Sequence, residues 1–265
     1  MSTFLDSIGV STKQRNESKQ ESLSLEKLKQ RATLINREPA VLERVLSKGG
    51  TGKVIAEIKR KSPSQGTLKE GFDVGLLARA YQAAGASAIS ILTEPTSFGG
   101  SLEDLKAVRN SSPELVLLQK DFIIDEYQIY EALLTGADAI LLIVALLGEE
   151  KTISFQKLAQ SIGLSCLVEV HTAEELQIAV RTGAKIIGVN NRDLHSLKVS
   201  LDVSKKLISQ IPDHIIAVSE SGINTALEMK ELKSMGFDAF LIGSSFMRTS
   251  NPGQQLAQLM SEVRA

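Results

Sequence analysis

Cysteine is almost absent from this sequence. Cys166 is the single one in 265 residues, which rules out an internal disulfide framework and any multi-cysteine metal site. Histidine is scarce as well, and His171, His195 and His214 are too scattered for a zinc motif. Neither sign of charge is in excess: the formal net charge is −1, so composition points to no nucleic-acid or polyanion partner. Long hydrophobic runs are missing, since the longest, residues 139–147, falls far short of the roughly 20 residues of a membrane-spanning helix. The first residues are polar and mixed in charge, without a signal-peptide or Arg-rich transit pattern. Together these absences lead to the expectation of a cytoplasmic enzyme or binding protein with no membrane or nucleic-acid partner.

What is present is a regular alternation. From Lys53 onward, strand-like runs at 54–58, 88–92, 115–118, 139–144, 165–168, 186–189, 215–218 and 239–242 alternate with helical patterns. The helical stretches are 74–84, 102–109, 125–135, 149–162, 173–181, 204–210, 225–235 and 252–263. An internal repeat supports the count: AAGASAISIL, LTGADAILLI, RTGAKIIGVN and SMGFDAFLIG each end a helix at glycine and enter a strand. Gly85, Gly136, Gly183 and Gly236 occupy the position after a helix where a left-handed conformation is wanted. Eight strand–helix units predict a parallel sheet closed into a (β/α)8 TIM barrel. A doubly wound open sheet is the competitor, but no G-x-G-x-x-G follows the first strand.

Residues 1–52 lack that alternation and are rich in Ser, Gln, Lys and Glu. Helices are plausible at about 23–34 and 39–46, and Ser47-Lys48-Gly49-Gly50 closes the segment. It reads either as a tail or as a helical cover over one end, which divides the chain into an extension, 1–52, and a catalytic barrel, 53–265. Its low apolar content leads to the expectation that removing residues 1–49 affects substrate KM more than stability.

In a barrel the chemistry sits at the C-terminal ends of the strands. The first strand offers Glu57 and Lys59, two residues apart and therefore on one face. The others offer a Phe98-Gly99-Gly100 loop, Lys120 followed by Asp121, Glu169, and Asn190 to Asp193 with Arg192. The last two strands end in Ser219-Glu220-Ser221-Gly222 and Gly243-Ser244-Ser245, turns whose backbone amides suit an anion, with a short helix expected near Ser244. Phosphate is the anion many barrels bind there. A buried lysine beside another cation has its pKa lowered, and glutamates in the same cavity move the other way, so the cluster suits acid–base chemistry. His171 reads as a helix-start residue, and Asp121 as a turn or helix-entry residue.

Read together, AEIKRKSPS, LTEPTSFGGS, LLQKDFII, LVEVH, GVNNRDL, SESGI and LIGSSFMR resemble the indole-3-glycerol phosphate synthase family, barrel enzymes of tryptophan biosynthesis. The resemblance covers Lys53 to the C-terminus, and residues 1–52 resemble the family's N-terminal helical extension. It implies a carboxy-lyase that converts 1-(2-carboxyphenylamino)-1-deoxyribulose 5-phosphate to indole-3-glycerol phosphate, carbon dioxide and water, without metal or organic cofactor. By resemblance, Lys120 is the main general acid, Glu169 its acid–base partner, and Lys59 the holder of the substrate carboxylate. Glu57 positions Lys59, with Asn190, Ser62 and Ser221 assisting, Arg192 as a second carboxylate contact and Glu220 in the pocket floor. Ser221, Gly222, Gly243 and Ser244 match the phosphate site, and Phe98, Phe122, Leu142 and Leu194 an apolar pocket for the anthranilate ring. A monomer is expected. The rivals are a phosphate-binding isomerase, a Schiff-base aldolase using Lys120, and a barrel retained as a binding module.

Overall fold

The computed structural model describes residues 4–47, 49, 52–194 and 196–265; His195, Lys48 and Gly50 of the sequence reading lie outside them. Eight parallel strands run in chain order: β1 (Lys53–Ile58), β2 (Ala88–Leu92), β3 (Leu117–Lys120), β4 (Ala139–Ile143), β5 (Ser165–Val170), β6 (Ile186–Asn190), β7 (Ile216–Glu220) and β8 (Ala239–Ile242). Each pairs with its neighbours in sequence, and β8 returns to β1 with Lys53 opposite Ala239. The sheet is closed, which excludes the open doubly wound arrangement. Strands buried on both faces need no polar alternation, which is why these segments read as continuous apolar runs.

Helices follow the strands where the 3.6-residue period placed them, and side-chain caps fix their starts. Asp73, Ser101, Asp125 and Thr172 each accept an amide of the first turn, and Thr225 forms a full capping box with Glu228. All four repeat glycines have positive φ, Gly136 as the helix C-cap at 105°. The third strand begins two residues later than the expected 115–118 and the helix expected at 204–210 begins at Asp202, while the boundary after β4 differs in kind. The apolar run after β4 turns helical at Val144 instead of extending the strand, and Gly148 (φ 65°, ψ −177°) breaks the helix Val144–Ser161 near its start.

Alternation divides the strand side chains into two layers. Ile55, Leu118, Leu141, Leu167, Val218 and Leu241 fill the barrel interior. Val54, Ile89, Ile140, Leu142, Val168 and Phe240 face the surrounding helices. Leu142 therefore points away from the barrel axis, and its assignment to the substrate pocket is corrected: Leu141 and Ile143 take that place. In an all-apolar strand, composition does not reveal which parity faces inward.

Three helices precede the barrel: α1 (Phe4–Ser22), α2 (Leu25–Ala32) and α3 (Val41–Leu46). The latter two were expected and α1 was not. α2 packs beside the helix Glu126–Thr135, with Lys29 Nζ 3.4 Å from Glu126. α3 lies under the strand starts: Leu42 and Leu46 are fully buried in the inner cluster, and the Leu42 amide donates to Ser165 Oγ at 3.3 Å. α1 lies at the opposite end, beside the strand termini.

Candidate active site

At the C-terminal ends of the strands a cavity of about 420 Å³ opens. Glu57, Lys59, Ser62, Phe98, Lys120, Phe122, Glu169, Asn190, Arg192, Leu194, Glu220, Ser221, Gly222, Gly243 and Ser244 all line it. The strand parity that places Glu57 and Lys59 on one face is realised, and the two form an ion pair. Lys120 Nζ lies 3.3 Å from Glu169 Oε2 and 3.4 Å from Glu220 Oε2, so three strands bring one ammonium between two carboxylates. Asn190 Oδ1 accepts the Arg192 amide at 3.0 Å, and Arg192 Nη1 donates to Ser64 Oγ at 2.8 Å, tying the loop after β6 to the loop after β1.

Burial sharpens the electrostatics. Desolvation alone would lower the Lys120 pKa, but Glu169, Glu220 and Glu57 outweigh it and raise it. The expected depression of a lysine pKa does not occur here, because carboxylates rather than cations surround this ammonium. Burial would raise the Glu169 pKa, yet Lys120 and His171 bring it below the ordinary carboxylate range. Glu57 is likewise lowered, against its burial, by Lys59 and Lys120. Glu220 goes the other way: burial first, with Glu169 and Glu57 adding repulsion, exceeds the attraction of Lys120 and raises it to about 7. Its two oxygens find no hydrogen-bond partner among the described residues.

The turn after β7 is held in an unusual shape. Ser221 has φ 65° and Gly222 φ 85°, so a residue with a Cβ occupies the left-handed region, at a cost of about 1–3 kcal/mol. Asn191 Nδ2 clamps it by donating to the carbonyls of Glu220 and Ser221 at 3.0 and 3.1 Å. The helix Ser244–Met247 follows β8 at Gly243, where a short helix was expected, and Arg248 at its end also lines the cavity.

A family model described as indole-3-glycerol phosphate synthase matches residues 5–259. The chain belongs to the indole-3-glycerol phosphate synthase family. A relative of that name from Ruminiclostridium cellulolyticum is 44% identical over 257 residues, covering 97% of this chain and 98% of its own. One from Chloroherpeton thalassium is 51% identical over 195 residues, 74% of this chain and 75% of its own. A multifunctional tryptophan biosynthesis protein from Schizosaccharomyces pombe is 46% identical over 212 residues, 78% of this chain and 28% of its own. Solved structures show the same fold at low identity. 3-Hexulose-6-phosphate synthase from Salmonella typhimurium superposes with TM-score 0.63 at 12% identity, over 80% of this chain and 99% of that one.

Some cavity-lining residues of this chain lie outside the strand-end motifs. Phe4 of α1 stacks edge-on against Phe122, centroids 6.1 Å apart, and Phe122 meets Phe98 at 6.2 Å. Asp121 bonds Thr93 Oγ1 at 2.7 Å and Arg15 of α1 at 3.0 Å, so it is more than a turn residue. Glu94 caps the short helix Pro95–Phe98 and stands 3.8 Å from Arg15. His171 was placed apart from the cluster. It lies 3.3 Å from Glu169, and the i, i+2 spacing of Glu169 and His171 in LVEVH, the spacing of Glu57 and Lys59, was its signal. Among the described residues no three His, Cys, Asp or Glu side chains group so as to hold a metal ion.

Proposed function

We propose that this chain closes and decarboxylates 1-(2-carboxyphenylamino)-1-deoxyribulose 5-phosphate, releasing carbon dioxide and water to leave indole-3-glycerol phosphate. One observation carries the reading: the order of environments along a single cavity. Phe4, Phe98, Phe122 and Leu194 offer an apolar grip for the anthranilate ring. The Glu57–Lys59 pair and the Lys120–Glu169–Glu220 group bring charged donors and acceptors. The turns at Ser221-Gly222 and Gly243-Ser244, with Arg248, suit a phosphate. A substrate held at both ends bends, and bending brings the aromatic carbon against the carbonyl it must attack.

Lys120 is assigned as the general acid that protonates that carbonyl oxygen as the carbon–carbon bond forms. Its carboxylate neighbours keep it charged, which suits a proton donor and disfavours an aldolase imine, since that needs a neutral amine. Lys59 holds the substrate carboxylate until it leaves as carbon dioxide and serves as acid in the dehydration. Arg192 is a second carboxylate contact, and Glu57 fixes Lys59 and the substrate hydroxyls with Asn190, Ser62 and Ser221. Glu169, ionised, is the acid–base partner as the new hydroxyl departs as water. Glu220 closes the floor. Residues 1–52 serve as an extension to a catalytic barrel of 53–265. We place the chain in the cytoplasm as a monomer. Among the described residues no helix is long and apolar enough to cross a membrane.

The test is the fluorescence of indole-3-glycerol phosphate formed from the carboxyphenylamino-deoxyribulose phosphate. Wild type is expected to turn over, and Lys120→Ala to lose roughly 10²–10⁴-fold in kcat while still binding the substrate. A folded wild type without turnover would overturn the reading.

A further inference from the structure

Glu169 is gripped from two sides. Lys120 Nζ lies 3.3 Å from Oε2, and His171 Nε2 lies 3.3 Å from Oε1, a close ion pair rather than a well-aligned hydrogen bond. His171 is not part of the cavity lining, so it reaches the carboxylate from behind. The imidazole is itself fixed, with Nδ1 3.2 Å from Glu175 Oε2. That same oxygen accepts the His171 backbone amide at 2.7 Å, and Glu175 stands in the capped first turn of the helix Ala173–Arg181. An alternating row of charges therefore runs Glu175, His171, Glu169, Lys120, Glu220. It passes from a partly exposed helix start to the barrel centre.

We propose that His171 is a positioning residue for Glu169: wedged between Glu175 and Glu169, it sets the carboxylate opposite Lys120 and keeps it charged. The proposal rests on the reading above only in giving Glu169 an acid–base task. A neutral imidazole would present at most one N–H to its two carboxylates, whereas an imidazolium serves both. Burial alone would lower the pKa of His171, but hydrogen bonding and charge from Glu169 and Glu175 outweigh it and carry it to about 10. The groups facing Glu169 are Lys120 from β3, His171 from its own strand end and Asn190 from β6, with Glu220 of β7 coupled through Lys120. Removing His171 takes away one of two cations. Glu169 then accepts a proton at higher pH, and its carboxylate loses one of its two anchors.

A merely structural role would fasten the end of β5 to the next helix, moving Tm and nothing else. Two measurements on the full chain separate the roles. The sequence has three histidines, so imidazole ¹⁵N shifts can be followed individually from pH 5 to 9. His171 is expected to stay imidazolium across that range in the wild type and to titrate closer to the ordinary value, about 6.5, in Glu169→Gln. A wild-type His171 that titrates near 6.5 overturns the proposal. This readout needs no turnover, so it stands or falls separately from the reaction. In steady-state kinetics, His171→Gln is expected to lower kcat about tenfold, keep KM within about twofold, and raise the acidic limb of the kcat profile by roughly one pH unit. Glu175→Gln, which loosens the imidazole without touching Glu169, moves the same quantities less. A His171→Gln protein with lowered Tm but wild-type kcat and acidic limb shows a fastening role alone and overturns the proposal.

Discussion

Glu220 has room inside the barrel because residue 188 carries no side chain. A Cβ on Gly188 would overlap Glu220 Oε1 and stand 3.1 Å from its Cδ, and Gly243 bears the same relation to Glu57. Gly188→Ala is therefore expected to push Glu220 off Lys120, lowering kcat at least tenfold and costing about 1–3 kcal/mol of stability. Wild-type kcat and Tm in that variant would sink the steric argument. The raised Glu220 pKa makes a second prediction. A carboxyl that binds its proton more tightly when folded contributes stability that is complete below its unfolded value near 4.5 and lost as pH rises through about 7. Glu220→Gln, which never ionises, should then gain on the wild type as pH rises from 5 to 8, by on the order of 2–3 kcal/mol, while kcat falls. Thermal melts at the two pH values check it, and an equal difference at both counts against the shift. Residues of this kind were legible in proportion to their contrast. Glu57 and Lys59 stand out of an apolar strand, so their parity was plain. Leu142 sits among Ile140, Leu141 and Ile143, where nothing marks the inward face. The steric partner of Gly188 lies on the next strand, beyond any local pattern.

α1 shows why an element can escape a periodicity search. Its buried stripe is Leu5, Ile8, Thr12 and Asn16, helical in spacing but half polar, so hydrophobicity alone does not trace it. Its fastening is mainly electrostatic and long-range: Asn16 Nδ2 donates to Gln128 at 2.9 Å, Lys19 to Glu131 at 2.7 Å, and Arg15 bridges Asp121 and Glu94. Asn16 and Gln128 are buried, Glu94 and Asp121 nearly closed from solvent, and Leu5 and Ile8 join the inner apolar cluster, so α1 contributes on the order of a few kcal/mol to stability. It carries Phe4 to the cavity, and through Arg15 it reaches the segments bearing Phe98 and Phe122. Deleting residues 1–22 is expected to raise KM roughly tenfold, equivalent to about 1.4 kcal/mol of binding, with Tm lowered by on the order of 10 °C because buried groups lose their partners. An unchanged KM, or a protein that no longer folds, would show that α1 has another role. The idea that all of residues 1–49 could go with little loss of stability does not fit α3, whose leucines are buried under the barrel.

At the scale of the molecule, the barrel divides its tasks between two ends. Alternating strands and helices announced eight units, but an open sheet uses the same alternation. Closure rests on β1 meeting β8 across most of the chain, which no local signal encodes. Once closed, the interior is apolar at the strand starts and charged at the strand ends, with Leu42 and Leu46 plugging the first and the site filling the second. Stability and chemistry should therefore separate on mutation. Leu42→Ala leaves a hole beneath the strand starts and is expected to cost about 2–5 kcal/mol, a fall in Tm of roughly 5–15 °C for a chain of this size, with kcat at 25 °C unchanged. Lys120→Ala should lower kcat roughly 10²–10⁴-fold, and its fall in Tm, set by the carboxylates left without their cation, should shrink as the pH drops and they take up protons. Paired melting and kinetic measurements on the two variants decide the matter. A Leu42→Ala enzyme that stays folded at 25 °C yet loses kcat would mean that strain at the plugged end reaches the carboxylates, and the separation of the two ends would have to be given up.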